Sequence, residues 1–248
     1  MRKTIFIDGK YVKVGENTLK AFTPGVFKAK GVFETMLGLD GVAIDGEEHL
    51  RRLKQGLQAL KIKAPKIDPL ILGQLLKINR LSCARLRIMV WQEGKQVHVA
   101  AMALAYKIPD QKPLKVCLIQ TNREATRRWA SVKSLDYELF VKAYTKAQAQ
   151  RFDEALLLNA KNFIFEASRA NIFWMKNAIL YTTPLSSGCL NGITRQQVIA
   201  QTKRLGLVVR EKNCTLAVLK QADAVFLTNS LVGICPIDLS SCREIKIA

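Results

Sequence analysis

The chain has 248 residues, 49% of them hydrophobic, and carries 39 Lys and Arg against 20 Asp and Glu, a formal net charge of +19. That much apolar sequence can bury a core without help from disulfides or a structural metal, and no apolar run reaches the roughly 20 residues that a membrane span needs. The positive charge is dispersed (Lys10, Lys28, Lys54, Lys112, Lys142, Lys203, Lys220) with no block of like charge and no interleaved aromatics. It therefore reads as solvated faces or as attraction for a small anion, rather than as a nucleic-acid stripe.

In chain order, Thr4–Ile7 and Tyr11–Val14 flank Asp8-Gly9 and predict a β-hairpin. A strand is expected over 32–39, a turn at Asp40-Gly41 and a short strand over 42–44. His49, Leu50, Leu53, Leu57 and Leu60 then fall on one helical face. A second helix is expected over 70–78, and strands over 85–91 and 97–102 around Glu93-Gly94. Residues 106–113, with two prolines, are the linker candidate. Beyond it come a strand (114–119), a helix (137–151), strands (155–158, 172–174, 178–181), a helix (194–205), a strand (207–210), a short helix (216–221) and a strand (224–227).

The six cysteines (Cys83, Cys117, Cys189, Cys214, Cys235, Cys242) contain no C-x-x-C pair. Neither a zinc site nor a disulfide framework is expected at this spacing and length. The N-terminus turns acidic and glycine-bearing too early for a secretory signal. Reduced thiols, a cytoplasmic location and no membrane partner are the expectation. The plan is α/β with α+β character: a mixed α/β domain over 1–105, the linker over 106–113, and a strand-rich domain with helices over 114–248.

Seven short segments stand out in order. They are Gly31-Val32-Phe33-Glu34-Thr35, His49-Leu50-Arg51-Arg52-Leu53, Val132-Lys133-Ser134-Leu135-Asp136-Tyr137, Asp153-Glu154-Ala155-Leu156-Leu157, Glu166-Ala167-Ser168-Arg169-Ala170-Asn171-Ile172-Phe173, Leu190-Asn191-Gly192-Ile193-Thr194-Arg195 and Thr228-Asn229-Ser230 before Pro236. Each alone is weak, but together they resemble the class IV aminotransferases, the fold-type IV pyridoxal-phosphate enzymes. That family includes branched-chain and D-amino-acid aminotransferases and 4-amino-4-deoxychorismate lyase. The resemblance implies two α/β domains, an N-terminal α/β sandwich and a C-terminal strand-rich domain, with pyridoxal 5′-phosphate in the cleft between them, in a homodimer.

By the same resemblance, Lys133 is the Schiff-base lysine and catalytic base. A neutral amine is required for both tasks, and an apolar, desolvated setting favours it. Glu166 matches the carboxylate that keeps the pyridine nitrogen protonated. Ile193 and Thr194 precede a helix, so their amides face the phosphate with the favourable end of the helix dipole, although Thr194 as a plain helix cap is the competing reading. Arg52 matches the phosphate arginine, with Arg51 its neighbour and rival. Asn229 and Ser230 fit a second phosphate-side loop. Tyr137 matches a tyrosine near the ring hydroxyl, or is a core residue. Arg87, on a strand with Arg85 on the same face, suits a substrate carboxylate, and Thr35 is assigned to the substrate side.

The chain departs from its relatives after that strand, where Gln92-Glu93-Gly94-Lys95-Gln96 replaces a longer or Arg-Gly-rich loop, and before Phe33, where Lys28-Ala29-Lys30 stands. Its shortness and the Ala170–Trp174 and Leu190–Ile193 motifs resemble the lyase, which releases pyruvate and 4-aminobenzoate for folate synthesis from a small anionic substrate. The alternatives are an aminotransferase for D- or branched-chain amino acids and, from another class, a basic nucleic-acid-binding protein.

Overall fold

Two Asp-Gly pairs shape the first third of the chain. In the computed structural model, which describes residues 3–25, 27–110, 112–121 and 131–246, Asp8-Gly9 (φ 45° and 87°) closes a hairpin between β1 (Lys3–Ile7) and β2 (Lys10–Val14). Both central residues have positive φ, the turn whose twist matches paired strands. After the short helix α1 (Glu16–Ala21) comes β3 (Lys30–Leu39), which Asp40-Gly41 (φ 46° and 86°) turns into β4 (Val42–Ala43). Helices α2 (Gly46–Ala59) and α3 (Leu70–Ile78) follow, then the long hairpin β5 (Cys83–Glu93) and β6 (Gln96–Ala105).

These strands form an antiparallel sheet in the order β2-β1-β6-β5-β3-β4. Alternation gives it two faces. Val32, Glu34, Met36, Leu86, Ile88 and Val90 face the helices: Glu34 bonds α2 residues, and Leu76 of α3 lies against Gly38 and Leu86. Burying each of these aliphatic side chains contributes about 1.5–3 kcal/mol. Phe33, Thr35, Arg85, Arg87 and Met89 occupy the opposite face.

By contacts the chain divides into two compact units, Met1–Ile108 with Val132–Glu138, and Pro109–Ser131 with Leu139–Ala248. The linker expected over 106–113 brackets the division, with Gln111 outside the described residues. Residues 132–138, expected within the second domain, group with the first unit. They lie along the open edge of β3: Phe33 N–H donates to the Lys133 carbonyl (3.0 Å), Leu135 N–H donates to the Gly31 carbonyl (2.9 Å), and Ser134 bridges Val32 antiparallel. Only glycine fits at position 31, since a Cβ there would lie 2.4 Å from the Val90 oxygen and 2.7 Å from Leu135 Cδ1.

The second unit holds β7 (Leu114–Gln120), most of α4 (Glu138–Ala149), β8 (Glu154–Leu158), β9 (Ile164–Ala167), β10 (Asn171–Lys176), β11 (Ile179–Thr182), α5 (Ile193–Arg204), β12 (Val209–Glu211), α6 (Leu216–Lys220), β13 (Ala224–Asn229), β14 (Gly233–Asp238) and β15 (Glu244–Ile245). Its sheet runs β12-β11-β10-β13-β14-β7-β8-β9, with β15 also on β7. Strand β9 passes into β10 through residues 168–170, Ala167 N–H donating to the Ala170 carbonyl (2.7 Å). That short turn brings the last strand of the path back beside β10. Val116, Leu156, Ile172, Trp174 and Leu227 pack with Leu219 of α6 in one core. No helix among the described residues is long and apolar enough to cross a membrane.

Most expected elements are present, several with shifted ends. The strand expected from Ala178 begins at Ile179, because Asn177 and Ala178 form a left-handed turn (φ 50° and 57°). Among the described residues five elements were not anticipated, one of them a 3-10 turn over Leu185–Ser187. Helix α1 has six residues and buries none of them. Strand β9 is buried at all four positions and so shows no alternation, β14 contains Pro236, and β15 has two residues.

Candidate active site

In the first unit, Lys133 stands on the helix-free face of the sheet. Its Nζ lies 4.6 Å from the centroid of the Phe33 ring and 5.4 Å from that of Tyr137, and the two rings meet edge to face at 5.1 Å. Phe33, Met89, Trp91 and Leu135 make this an apolar cluster, with Tyr137 packed against it. Tyr137 is thus partly buried against the cluster and borders the lysine. Arg87 joins the same face, its guanidinium 5.9 Å from the Phe33 ring centroid, between Thr35 on β3 and Met102 on β6. Its Nε is buried with no hydrogen-bond partner. Burial, with the Arg85 charge beside it, lowers the Arg87 pKa to about 10. Next to Tyr137 a cleft of about 320 Å³ is bordered by Lys28, Lys30, Asp136 and Glu138, and Lys28 pairs with Glu138 across 3.7 Å.

On the helix side of the same sheet, residues of the first two motifs pair in a way the sequence had not indicated. Arg52 donates from Nε and Nη2 to the two oxygens of Glu34 (2.7 Å each), and His49 Nδ1 bonds Glu34 Oε2 (2.7 Å). Glu34 and His49 are fully buried. Burial by itself would raise the Glu34 pKa; the Arg52 charge and the hydrogen bonds from Arg52 and His49 prevail and hold it at about 2. Of the two arginines of this motif, Arg51 is exposed on Glu48 while Arg52 is drawn inward onto Glu34. The signal was the i, i+3 spacing of His49 and Arg52, which places both on one helix face.

In the second unit, Glu166 on β9 is buried and accepts the Leu190 N–H at Oε2 (3.0 Å). Two residues on, Gly192 is the extended N-cap of α5, with no side-chain cap and no acidic residue in the first turn. Thr194 lies inside that turn rather than at the cap, so the plain capping reading does not apply. Asn171, first in β10, donates to the Leu190 carbonyl (2.8 Å). Arg195 is buried beneath the turn, bonding the Thr183 carbonyl (3.0 Å) and Asn191 Oδ1 (3.4 Å) and pairing with Glu211 (3.3 Å). Ser230 follows β13, where Asn229 Oδ1 accepts the N–H groups of Leu231 (2.9 Å) and Val232 (3.0 Å) and closes the turn. In register, Asn171 faces Thr228, so β10 draws together the turn at the start of α5 and the turn after β13.

The remaining motif, Asp153–Leu157, is structural. Buried Glu154 accepts the Ala155 N–H, the Ser168 hydroxyl and Arg169 Nε (3.1 Å). Its role is to pin the turn between Glu166 and Asn171.

The model of the family "Amino-transferase class IV" matches residues 31–239. A putative branched-chain-amino-acid aminotransferase of Methanocaldococcus jannaschii is 31% identical over 94% of this chain and 86% of its own length. The aminodeoxychorismate lyase of Bacillus subtilis is 27% identical over 94% of this chain and 85% of that protein. Among solved structures, a putative 4-amino-4-deoxychorismate lyase from Legionella pneumophila superposes with a TM-score of 0.78 at 27% identity, covering 90% of this chain and 86% of that one. A branched-chain aminotransferase from Thermoproteus uzoniensis gives 0.81 at 24% identity over 96% and 86%, a likeness of fold. Proteins of this family use pyridoxal 5′-phosphate, and the residues here fit it: an amine packed against aromatic rings, a buried carboxylate, and a helix start left open by a glycine cap. The chain belongs to the class IV aminotransferases and is a pyridoxal-phosphate enzyme.

Proposed function

We propose that this enzyme is a 4-amino-4-deoxychorismate lyase, which releases pyruvate and 4-aminobenzoate. The observation that carries the reading is Arg87. It is a largely buried cation with no carboxylate partner among the described residues, on the face that bears Lys133 and with Arg85 beside it. A buried, unpaired guanidinium is costly unless an anion meets it. A substrate with two carboxylates uses both arginines, and the relatives named as lyases support the choice.

Bound pyridoxal phosphate supplies an electron-poor ring that eases removal of a proton from the carbon bearing the substrate amine. Lys133 would hold the cofactor and take that proton, its amine lying against the Phe33 and Tyr137 rings. Glu166 would hold a proton on the ring nitrogen. Ile193, Thr194, Asn229 and Ser230 would hold the phosphate, a role the family resemblance also gives to Arg52; Tyr137 would border the ring, and Thr35 and Arg87 would receive the substrate. The working form is a homodimer, the common state of class IV aminotransferases.

A second reading, an aminotransferase for branched-chain or D-amino acids, is favoured by the 31% identical relative and by Met89 and Met102 on the Arg87 face. Purified protein given aminodeoxychorismate is expected to form 4-aminobenzoate and pyruvate in equal amounts with no 2-oxo acid added. Amino transfer from a branched-chain or D-amino acid to a 2-oxo acid, without that release, rejects the lyase.

A further inference from the structure

In the second unit the backbone of one residue, Leu190, lies between Glu166 and the turn that opens α5. Leu190 N–H donates to Glu166 Oε2 (3.0 Å), while the Leu190 carbonyl accepts from Asn171 Nδ2 (2.8 Å) and from Gly192 N–H (3.0 Å). The N–H and the carbonyl lie on the two peptide groups that flank the Leu190 Cα, so the bonds to Glu166 and Asn171 hold that residue from both sides. Asn171 is itself buried at 4% exposure, at the start of β10. Its Oδ1 fills the space beside Gly192, where a Cβ would lie 2.1 Å away. The two ends of its amide therefore touch different parts of the turn: the nitrogen holds the Leu190 carbonyl, and the oxygen shapes the approach of Gly192, the cap of α5.

We propose that Asn171 is a positioning residue that couples the Glu166 carboxylate to the turn opening α5, through the backbone of Leu190. The inference rests on the reading above, in which Glu166 meets the ring nitrogen and Ile193 and Thr194 meet the phosphate. It accounts for two features at once. Gly192 has no side chain because Asn171 occupies its place, and the Glu166 motif continues to Asn171 because both ends of that stretch grip the same residue. Without Asn171, the Leu190 carbonyl keeps only a local bond to Gly192. The ring-side and phosphate-side contacts then loosen together.

The test measures dissociation constants for pyridoxal phosphate and for pyridoxal, which lacks the phosphate, and the pH midpoint of the bound cofactor's visible absorbance. Asn171→Ala is expected to lower the ratio of the two constants by about tenfold and also to move the midpoint. If neither changes, or only one does, the coupling is wrong. A merely structural role would weaken both ligands equally and leave the midpoint in place. Thr194→Val and Glu166→Gln are the references, the first expected to lower the ratio and the second to move the midpoint. If the references fail, the site reading falls and the coupling with it; if they succeed while Asn171→Ala leaves either readout unmoved, the coupling alone falls. Should Asn171→Ala not fold, Asn171→Ser carries the same measurements.

Discussion

Glu34 is fully buried yet held in its charged form, with a pKa of about 2 against an ordinary 4.5. An acid whose pKa is depressed by folding contributes stability that is complete above its unfolded pKa and lost as pH falls through the folded one. Unfolding midpoints in urea are therefore expected to drop as pH goes from 4.5 toward 2, and Glu34→Gln should flatten that drop. The same variant should cost about 3 kcal/mol at neutral pH, because Arg52 keeps its charge against a neutral amide. At Arg87, replacement by Leu is expected to raise KM for the anionic substrate about tenfold or more while altering kcat less, with Lys intermediate, since lysine lacks the bidentate fork. Steady-state kinetics decide it, and an unchanged KM would remove Arg87 from the substrate. At this scale the motifs named Lys133, Glu166 and Thr194 as single residues. The Glu34 and Asn171 bonds were hidden, because a carboxylate or an amide in a motif does not announce which buried partner it meets.

The segment around Lys133 behaves as an added edge on β3, held by two backbone hydrogen bonds and by the space left at Gly31. Gly31→Ala should push Leu135 and the Val90 backbone apart, costing about 1–3 kcal/mol by overpacking. The expected result is a lower melting temperature together with reduced cofactor loading, read from the visible absorbance of the purified protein. A variant that melted lower but loaded fully would show that the edge contact does not place Lys133. The hairpins and helices were legible because their signals are local: Asp-Gly turns, alternation in β5 and β6, and the apolar stripe of α2. The docking of 132–135 on residues a hundred positions earlier was not legible, since an edge pairing leaves no periodicity in so short a stretch. Strand β9, buried on both faces, likewise shows no alternation to read.

For the whole molecule, the net charge of +19 acts through its field rather than through any one contact. For an anionic substrate, kcat/KM is expected to fall as salt rises from about 0.01 M to about 0.15 M, where the screening length shrinks from about 30 Å to about 8 Å. A salt-independent kcat/KM would confine the charge to solubility. Light scattering should give twice the chain mass of 27.8 kDa if the enzyme works as a dimer.

By itself the sequence determined the cofactor class and most of the secondary structure, because turn chemistry, periodicity and the order of seven motifs are properties of neighbours along the chain. Only the tertiary structure decided which arginine is buried on Glu34, why Gly31 and Gly192 carry no side chain, and that residues 132–138 belong with the first unit. Lys133, on which the cofactor assignment turns, is thereby set against Phe33 and Tyr137 on a sheet face built from distant strands. The physical reason is that burial and pairing are made by residues far apart in sequence, and their free energies exist only once the chain has closed on itself.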